Sequence, residues 1–283
     1  MANQACCSSV AVIVTLLVLA LAPVATLLLF FYLRDRQREP LFPLAMTFLL
    51  GAGSLLPAVF TSLALQRLTG LSSRSEGLFQ LFLAAVIVVG LVEEGYKFLV
   101  VRFYAYNRPE FDEPYDGIMY SIAASLGFAT VENILYVVSG GQDVAILRGL
   151  LAVPSHAFYG VLMGYFLGEA RFAATRARAV ALSLAGLGLA ILAHAVYDFM
   201  VFALNQRPLL LLMLPVFIAL AWAIIFRATR YHAAQSPHGS PSLAALKGKM
   251  IEPEPETGTE ESTQRHEGAD DKPQSPDDQP RPE

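Results

Sequence analysis

Residues 90–103 read GLVEEGYKFLVVRF. The stretch is mostly apolar and fits a helix crossing a membrane, yet Glu93, Glu94 and Lys97 sit inside it. An ionisable side chain at bilayer depth is expensive and marks function by default. Lys97 follows Glu93 by four residues, so the two share a helix face and a buried ion pair would explain both. That pairing gives Glu94 no purpose, because adjacent residues point about 100° apart on a helix. Two adjacent carboxylates are, by contrast, what general acid–base chemistry needs.

The rest of the chain supports a membrane setting. Of its 283 residues, 55% are hydrophobic and 16% charged, against about 25% charged in ordinary soluble domains. Seven apolar segments, 10–33, 41–65, 78–102, 116–138, 147–170, 179–204 and 209–228, are each long enough for a bilayer core of about 30 Å. The expected fold is therefore all-α, a polytopic membrane helix bundle of about seven transmembrane helices. The N-terminus lacks a basic n-region and the first segment is long for a signal peptide, so it reads as a retained helix. Cys6 and Cys7 are the only cysteines, which excludes a thiol-rich zinc cage or a disulfide scaffold. Basic residues set orientation. Arg34, Arg36, Arg38, Arg102, Arg108, Arg171, Arg176, Arg178, Arg227 and Arg230 flank one side, and Arg67, Arg74, Arg148 and Arg207 the other. Ten against four predicts an outside N-terminus and a cytoplasmic C-terminus in the cell membrane.

Two domains are expected: a membrane domain over 1–230 and a Pro-rich, acidic tail over 231–283. The tail has too few large apolar residues to order itself. His232, His238 and His266, in or beside it, are not expected to form a site.

Further polar residues lie within the apolar segments. Glu132 and Asn133 sit deep in FATVENILYVV, after a stripe of small residues, Gly117, Ser121, Ser125 and Ala129, that allows close helix approach. Asn133 can equally be glue between helices. His156 lies in PSHAFYGVLMGYF, and His194 and Asp198 share a face four residues apart in LAHAVYDFM. A lone membrane His is often only a hydrogen-bonder between helices. At about 1.5 Å rise per residue, Glu93 lies roughly 20 Å from the outer end of its span, His194 about 15 Å, His156 about 13 Å, and Glu132 and Asp198 about 9 Å. Polar side chains from four helices at comparable depth point to one wet cavity. Neither HExxH nor GxGD is present, SGGQD reads as a loop between spans, and in FDEPYDG Asp116 reads as an N-cap.

The order EEGYK, FDEPYDGIMYSIAASLGFATVENILYV, HAFYG, HAVYD resembles the PrsW family of intramembrane proteases, within the wider superfamily of CAAX prenyl proteases and bacteriocin-processing enzymes. The resemblance covers roughly residues 20–205. It implies cleavage of a membrane-anchored protein substrate, with anti-sigma factors the best-known class, and no nucleic-acid partner. It places Glu93 and Glu94 at the essential glutamate pair and Glu132, His156, His194 and Asp198 around them. The superfamily has been described both as metal-dependent and as metal-free, and both mechanisms stay open. In one, Glu93 or Glu94 is the base, His194 stabilises the oxyanion, Asp198 orients His194 and Lys97 tunes the glutamates. In the other, His156, His194 and Glu93 hold zinc with an open water position. The related prenyl proteases carry Asn where this chain has Asp198. A proton-coupled transporter or channel would use the same residue types, although paired broken helices and inverted repeats are not evident.

Overall fold

The computed structural model describes residues 2–235, with side chains from residue 12 onward. Among the described residues there are seven long helices and no strand: α1 (Ala2–Arg34), α2 (Leu41–Thr69), α3 (Leu78–Ala105), α4 (Pro114–Leu150), α5 (Ala152–Arg171), α6 (Arg176–Phe202) and α7 (Met213–Gln235). The residues expected to form most of the tail, including His238 and His266, lie outside the described part. α7 itself continues to Gln235, so His232 lies inside a helix rather than beside a tail. Its ring is fully buried, stacks on Tyr165 at 4.2 Å, and its Nδ1 donates to the Pro114 carbonyl at 3.0 Å, tying α7 to α4 and α5.

Six stretches, not seven, are long and apolar enough to cross a membrane. The difference lies in Pro114–Arg171, a single run of 58 residues that contains both expected spans 116–138 and 147–170. At about 1.5 Å per residue this run is far too long for one crossing. The backbone breaks at Gly141, with φ 77° and ψ −161°, and again at Leu151, with φ −117° and ψ −60°. The chain folds back at Gly141, so residues 142–150 and then α5 run antiparallel to the first part of α4.

The small residues explain how closely these helices meet. A Cβ at Gly164 would fall 2.3 Å from the Gly117 carbonyl oxygen, and one at Gly168 would fall 2.1 Å from that of Pro114. On the opposite face, a Cβ at Gly51 would fall 2.2 Å from the Ala124 carbonyl oxygen, and one at Gly127 would fall 2.0 Å from that of Phe48. Helix α4 thus has α5 on one face and α2 on another, and every residue from Tyr115 to Thr130 is buried. A lipid bilayer offers no hydrophobic drive between helices, so this close packing of small residues supplies much of their association. Gly164→Val should therefore lower stability by about 3 kcal/mol, at the upper end of overpacking penalties. Gly53→Val, at a glycine with nothing within 4 Å of its Cβ position, should leave it nearly unchanged. Thermal unfolding in detergent measures both.

Before α4 the chain makes a compact acidic knot. Asp116 is not the N-cap: Glu113 holds that position, and Asp116, at the third helical residue, accepts from the backbone N–H of Glu113 at 2.7 Å and of Asp112 at 2.8 Å. Tyr120 donates a short hydrogen bond to Glu39. Asp35, between α1 and α2, accepts from the Gln37 N–H at 3.0 Å. Burial, followed by the neighbouring Glu113 carboxylate, pushes Asp35 up to about 7. A carboxyl raised on folding favours the folded state at low pH, and that contribution is lost as pH climbs through the raised value. The midpoint of thermal unfolding should fall between pH 5 and pH 8, and Asp35→Asn should flatten that fall.

Candidate active site

Four helices bring their polar residues to one place. Glu93, Glu94 and Lys97 come from α3, Glu132 and Asn133 from α4, His156 and Tyr159 from α5, and His194 and Asp198 from α6. Helix α3 winds in wide, π-type turns over Ala84–Gly90, immediately before the glutamates. Such turns re-aim the face that follows and recur at functional sites. At Gly90 a Cβ would sit 3.0 Å from the Ile191 carbonyl oxygen, so α3 and α6 approach closely just where the glutamates begin.

The two glutamates have different surroundings. Glu94 is fully buried, and its Oε1 accepts from Lys97 Nζ at 2.7 Å and from His194 Nδ1 at 2.8 Å. Glu93 lines a cavity of about 540 Å³, and Glu94 does not. The Oε2 of Glu93 accepts no hydrogen bond, with Lys97 Nζ 3.7 Å and His194 Nε2 3.9 Å away. Lys97 therefore pairs chiefly with Glu94 rather than with Glu93. Both spacings reach across one helical turn, and the cavity decides between them by taking Glu93.

Lys97 also fixes a histidine. An ammonium can only donate, so His156 Nδ1, 3.0 Å from Lys97 Nζ, accepts. The neutral ring then carries its hydrogen on Nε2 and donates to Glu132 Oε2 at 3.0 Å. Lys97 is completed by the Phe128 ring, 4.4 Å below its nitrogen. His194 is held by Glu94 at Nδ1 and stacks on Tyr159 at 4.6 Å. Asp198 Oδ2 lies 3.5 Å from His194 Nε2, farther than Glu94 Oε1 lies from Nδ1 at 2.8 Å. The two histidine rings are 5.4 Å apart. Glu93, Glu132, His156, His194 and Asp198 all line the cavity, together with Leu55, Ala58 and Val59 of α2 and Val144 and Leu147 of the second half of α4.

A metal-ligating set can be read from this geometry. Glu93, Glu132 and His156 each offer an atom within 4.8 Å of the others. Of the expected set His156, His194 and Glu93, His194 is not in this group; its Nδ1 donates to Glu94, and its Nε2 lies 3.9 Å from Glu93 Oε2. Arg148 and Tyr159 were not anticipated as parts of the site. The one sequence signal for Arg148 is a cation just inside an apolar span.

The comparisons with known proteins agree with this picture. Residues 39–225 match the family described as PrsW family intramembrane metalloprotease. Protease PrsW of Oceanobacillus iheyensis is 37% identical over 211 residues, covering 74% of this chain and 93% of that protein. Protease PrsW of Geobacillus kaustophilus is 41% identical over 184 residues, covering 64% of this chain and 77% of that protein. Protease PrsW of Bacillus subtilis is 38% identical over 203 residues, covering 71% of this chain and 88% of that protein. No solved structure matches. With the matched region spanning the helices that supply every cavity carboxylate and histidine, this multi-pass membrane chain belongs to the PrsW family of intramembrane proteases.

Proposed function

We propose that this protein hydrolyses a peptide bond of a membrane-anchored protein of the anti-sigma-factor class, with Glu93 as the general base of a Glu/His site. The observation that carries this reading is the asymmetry of the pair. Glu93 lines the cavity, whereas Glu94 does not and has its Oε1 held by Lys97 and His194. A base must reach a water, and of the two adjacent glutamates Glu93 is the one that lines the cavity. In this reading Glu93 takes a proton from water, and the hydroxyl oxygen attacks the scissile carbonyl. The charge that develops on the carbonyl oxygen meets His194 Nε2, since stabilising it requires a donor aimed at the oxyanion. A ring that already donates Nδ1–H to Glu94 can also donate from Nε2 only as imidazolium, the form this step uses. Glu93 then returns its proton to the leaving amine. Asp198 Oδ2 lies beside His194 Nε2, 3.5 Å away.

The donors fit a zinc ion as well: two carboxylates and one imidazole, with a buried carboxylate oxygen that lacks a partner. Glu93, Glu132 and His156 would hold it. When bound, such an ion polarises the carbonyl and makes its water a nucleophile near neutral pH. For His156 to ligate through Nε2, its hydrogen must move to Nδ1 and Lys97 must turn away. The orientation follows from the charge count, with the N-terminus outside and the C-terminus in the cytoplasm of the cell.

The test is purified enzyme in liposomes with an epitope-tagged anti-sigma factor. Cleavage inside the membrane-anchored part supports the substrate class, and refusal of every such substrate contradicts it. Metal content and chelation decide the zinc. One zinc per chain, with activity lost on removal and restored on return, would make Glu93 a ligand of that ion instead of a free base. Full activity of metal-free enzyme contradicts zinc and leaves Glu93 acting on an unaided water.

A further inference from the structure

We propose that Arg148 is a positioning residue of the hydrolytic site, whose guanidinium holds the Glu132 carboxylate against His156. This rests on the reading of the Glu/His cluster as the place of reaction. The turn at Gly141 makes it geometrically workable. Its φ of 77° with ψ of −161° lies in a region open essentially to glycine alone. The turn sends residues 142–150 back along the cavity, where Val144, Leu147 and Arg148 line its wall with Leu151. Their spacing is that of one helical face. The returning segment packs on α1, with Ala145 buried against Ala20 and Val137.

Arg148 then makes three contacts within one turn of α4. Its Nη2 donates to Glu132 Oε2 at 2.9 Å, its Nε donates to Asn133 Oδ1 at 2.9 Å, and its guanidinium lies 4.1 Å over the Tyr136 ring. Two directed hydrogen bonds and a stacked face fix the plane of the group, which an ammonium cannot imitate. Asn133 is held in turn, because its Nδ2 donates to the Ala20 carbonyl at 2.9 Å. The oxygen of Glu132 that Arg148 grips is the same one that accepts from His156 Nε2 at 3.0 Å. The result is a continuous chain, Arg148–Glu132–His156–Lys97–Glu94–His194. Removing Arg148 frees the Glu132 carboxylate to rotate, and His156 loses the partner at its Nε2. A cation kept only to set membrane orientation would have no need of these partners.

The experiment uses the full chain in liposomes with the tagged anti-sigma factor as substrate, comparing Arg148→Ala, Arg148→Lys and Glu93→Gln. Loss of an outer partner of this kind costs about 10- to 100-fold in activity. Arg148→Ala is expected to lower kcat within that range with KM little changed, while unfolding in detergent stays above the assay temperature. Added methylguanidinium should restore part of the rate to Arg148→Ala, and Arg148→Lys should retain more activity than Ala. A kcat that falls only with the folded fraction, without rescue by either route, would overturn the proposal. So would a raised KM at unchanged kcat, which would make Arg148 a substrate-binding group. Glu93→Gln separates the two readings. If it stays active the Glu/His site itself fails and Arg148 with it, whereas if it is dead and Arg148→Ala is unimpaired only the role of Arg148 fails.

Discussion

Glu93→Gln should cut cleavage by about 10³-fold or more, within the range that a positioned base contributes. Gln keeps the volume of the side chain but cannot take a proton from water. The fold should survive, because the Oε2 of Glu93 makes no hydrogen bond to lose. Glu94→Gln should behave differently. Glu94 touches Lys97 and His194 rather than the cavity, so its loss acts through the His194 ring and should cost about 10- to 100-fold. It should also lower stability, since Lys97 loses its nearest anion. Rates of both variants with one tagged substrate in liposomes measure the difference. Equal, small losses would refute the assignment of Glu93 as base, and persistent cleavage in both would remove the pair from the chemistry.

Lys97→Met should be the most destabilising single change in the site. Lys97 is fully buried, and it is the one cation within 4 Å of either glutamate among the described side chains of Lys and Arg. Removing one partner of a buried pair typically costs about 3–5 kcal/mol, because the other charge is left uncompensated. Here Glu94 would keep only His194 as a partner, and His156 Nδ1 would lose its donor. The expected outcome is a sharp drop in the yield of folded protein and in its unfolding temperature. The double variant Glu94→Gln with Lys97→Met should recover part of that loss, since no lone charge remains. A double variant as unstable as the sum of its singles would mean that the pair does not interact energetically.

Much of this site could be read from residue spacing, and what could not be read has specific causes. Charges within apolar spans identified Glu93, Glu94, Glu132, His156, His194 and Asp198, because membrane depth leaves few other reasons for them. The stripe of Gly117, Ser121, Ser125 and Ala129 pointed to a close helix contact, and Gly117 does meet Gly164 and Gly168. Partners across helices were invisible. Helical spacing offered Lys97 to Glu93 and Asp198 to His194, both four residues apart, yet Lys97 sits nearer Glu94 and His194 is held by Glu94 from another helix. The return at Gly141 was legible only as a loop. Its left-handed backbone sends Arg148 into the cavity, a consequence of one φ angle that residue types do not disclose. Both expected spans 116–138 and 147–170 lie in the one long stretch Pro114–Arg171, which Gly141 and Leu151 break, and this accounts for six membrane-long stretches where seven segments were expected.

The most direct test of the central claim is to capture a substrate in the cavity. A photo-reactive phenylalanine at Val144 or Val59, both on the cavity wall, is placed in the Glu93→Gln variant and irradiated with the tagged anti-sigma factor in liposomes. Adducts on the substrate residues that flank the bond cut by the active enzyme are the expected result. Adducts confined to other parts of the substrate, with none from either cavity position near the cut, would contradict hydrolysis at the Glu93–His156–His194 site.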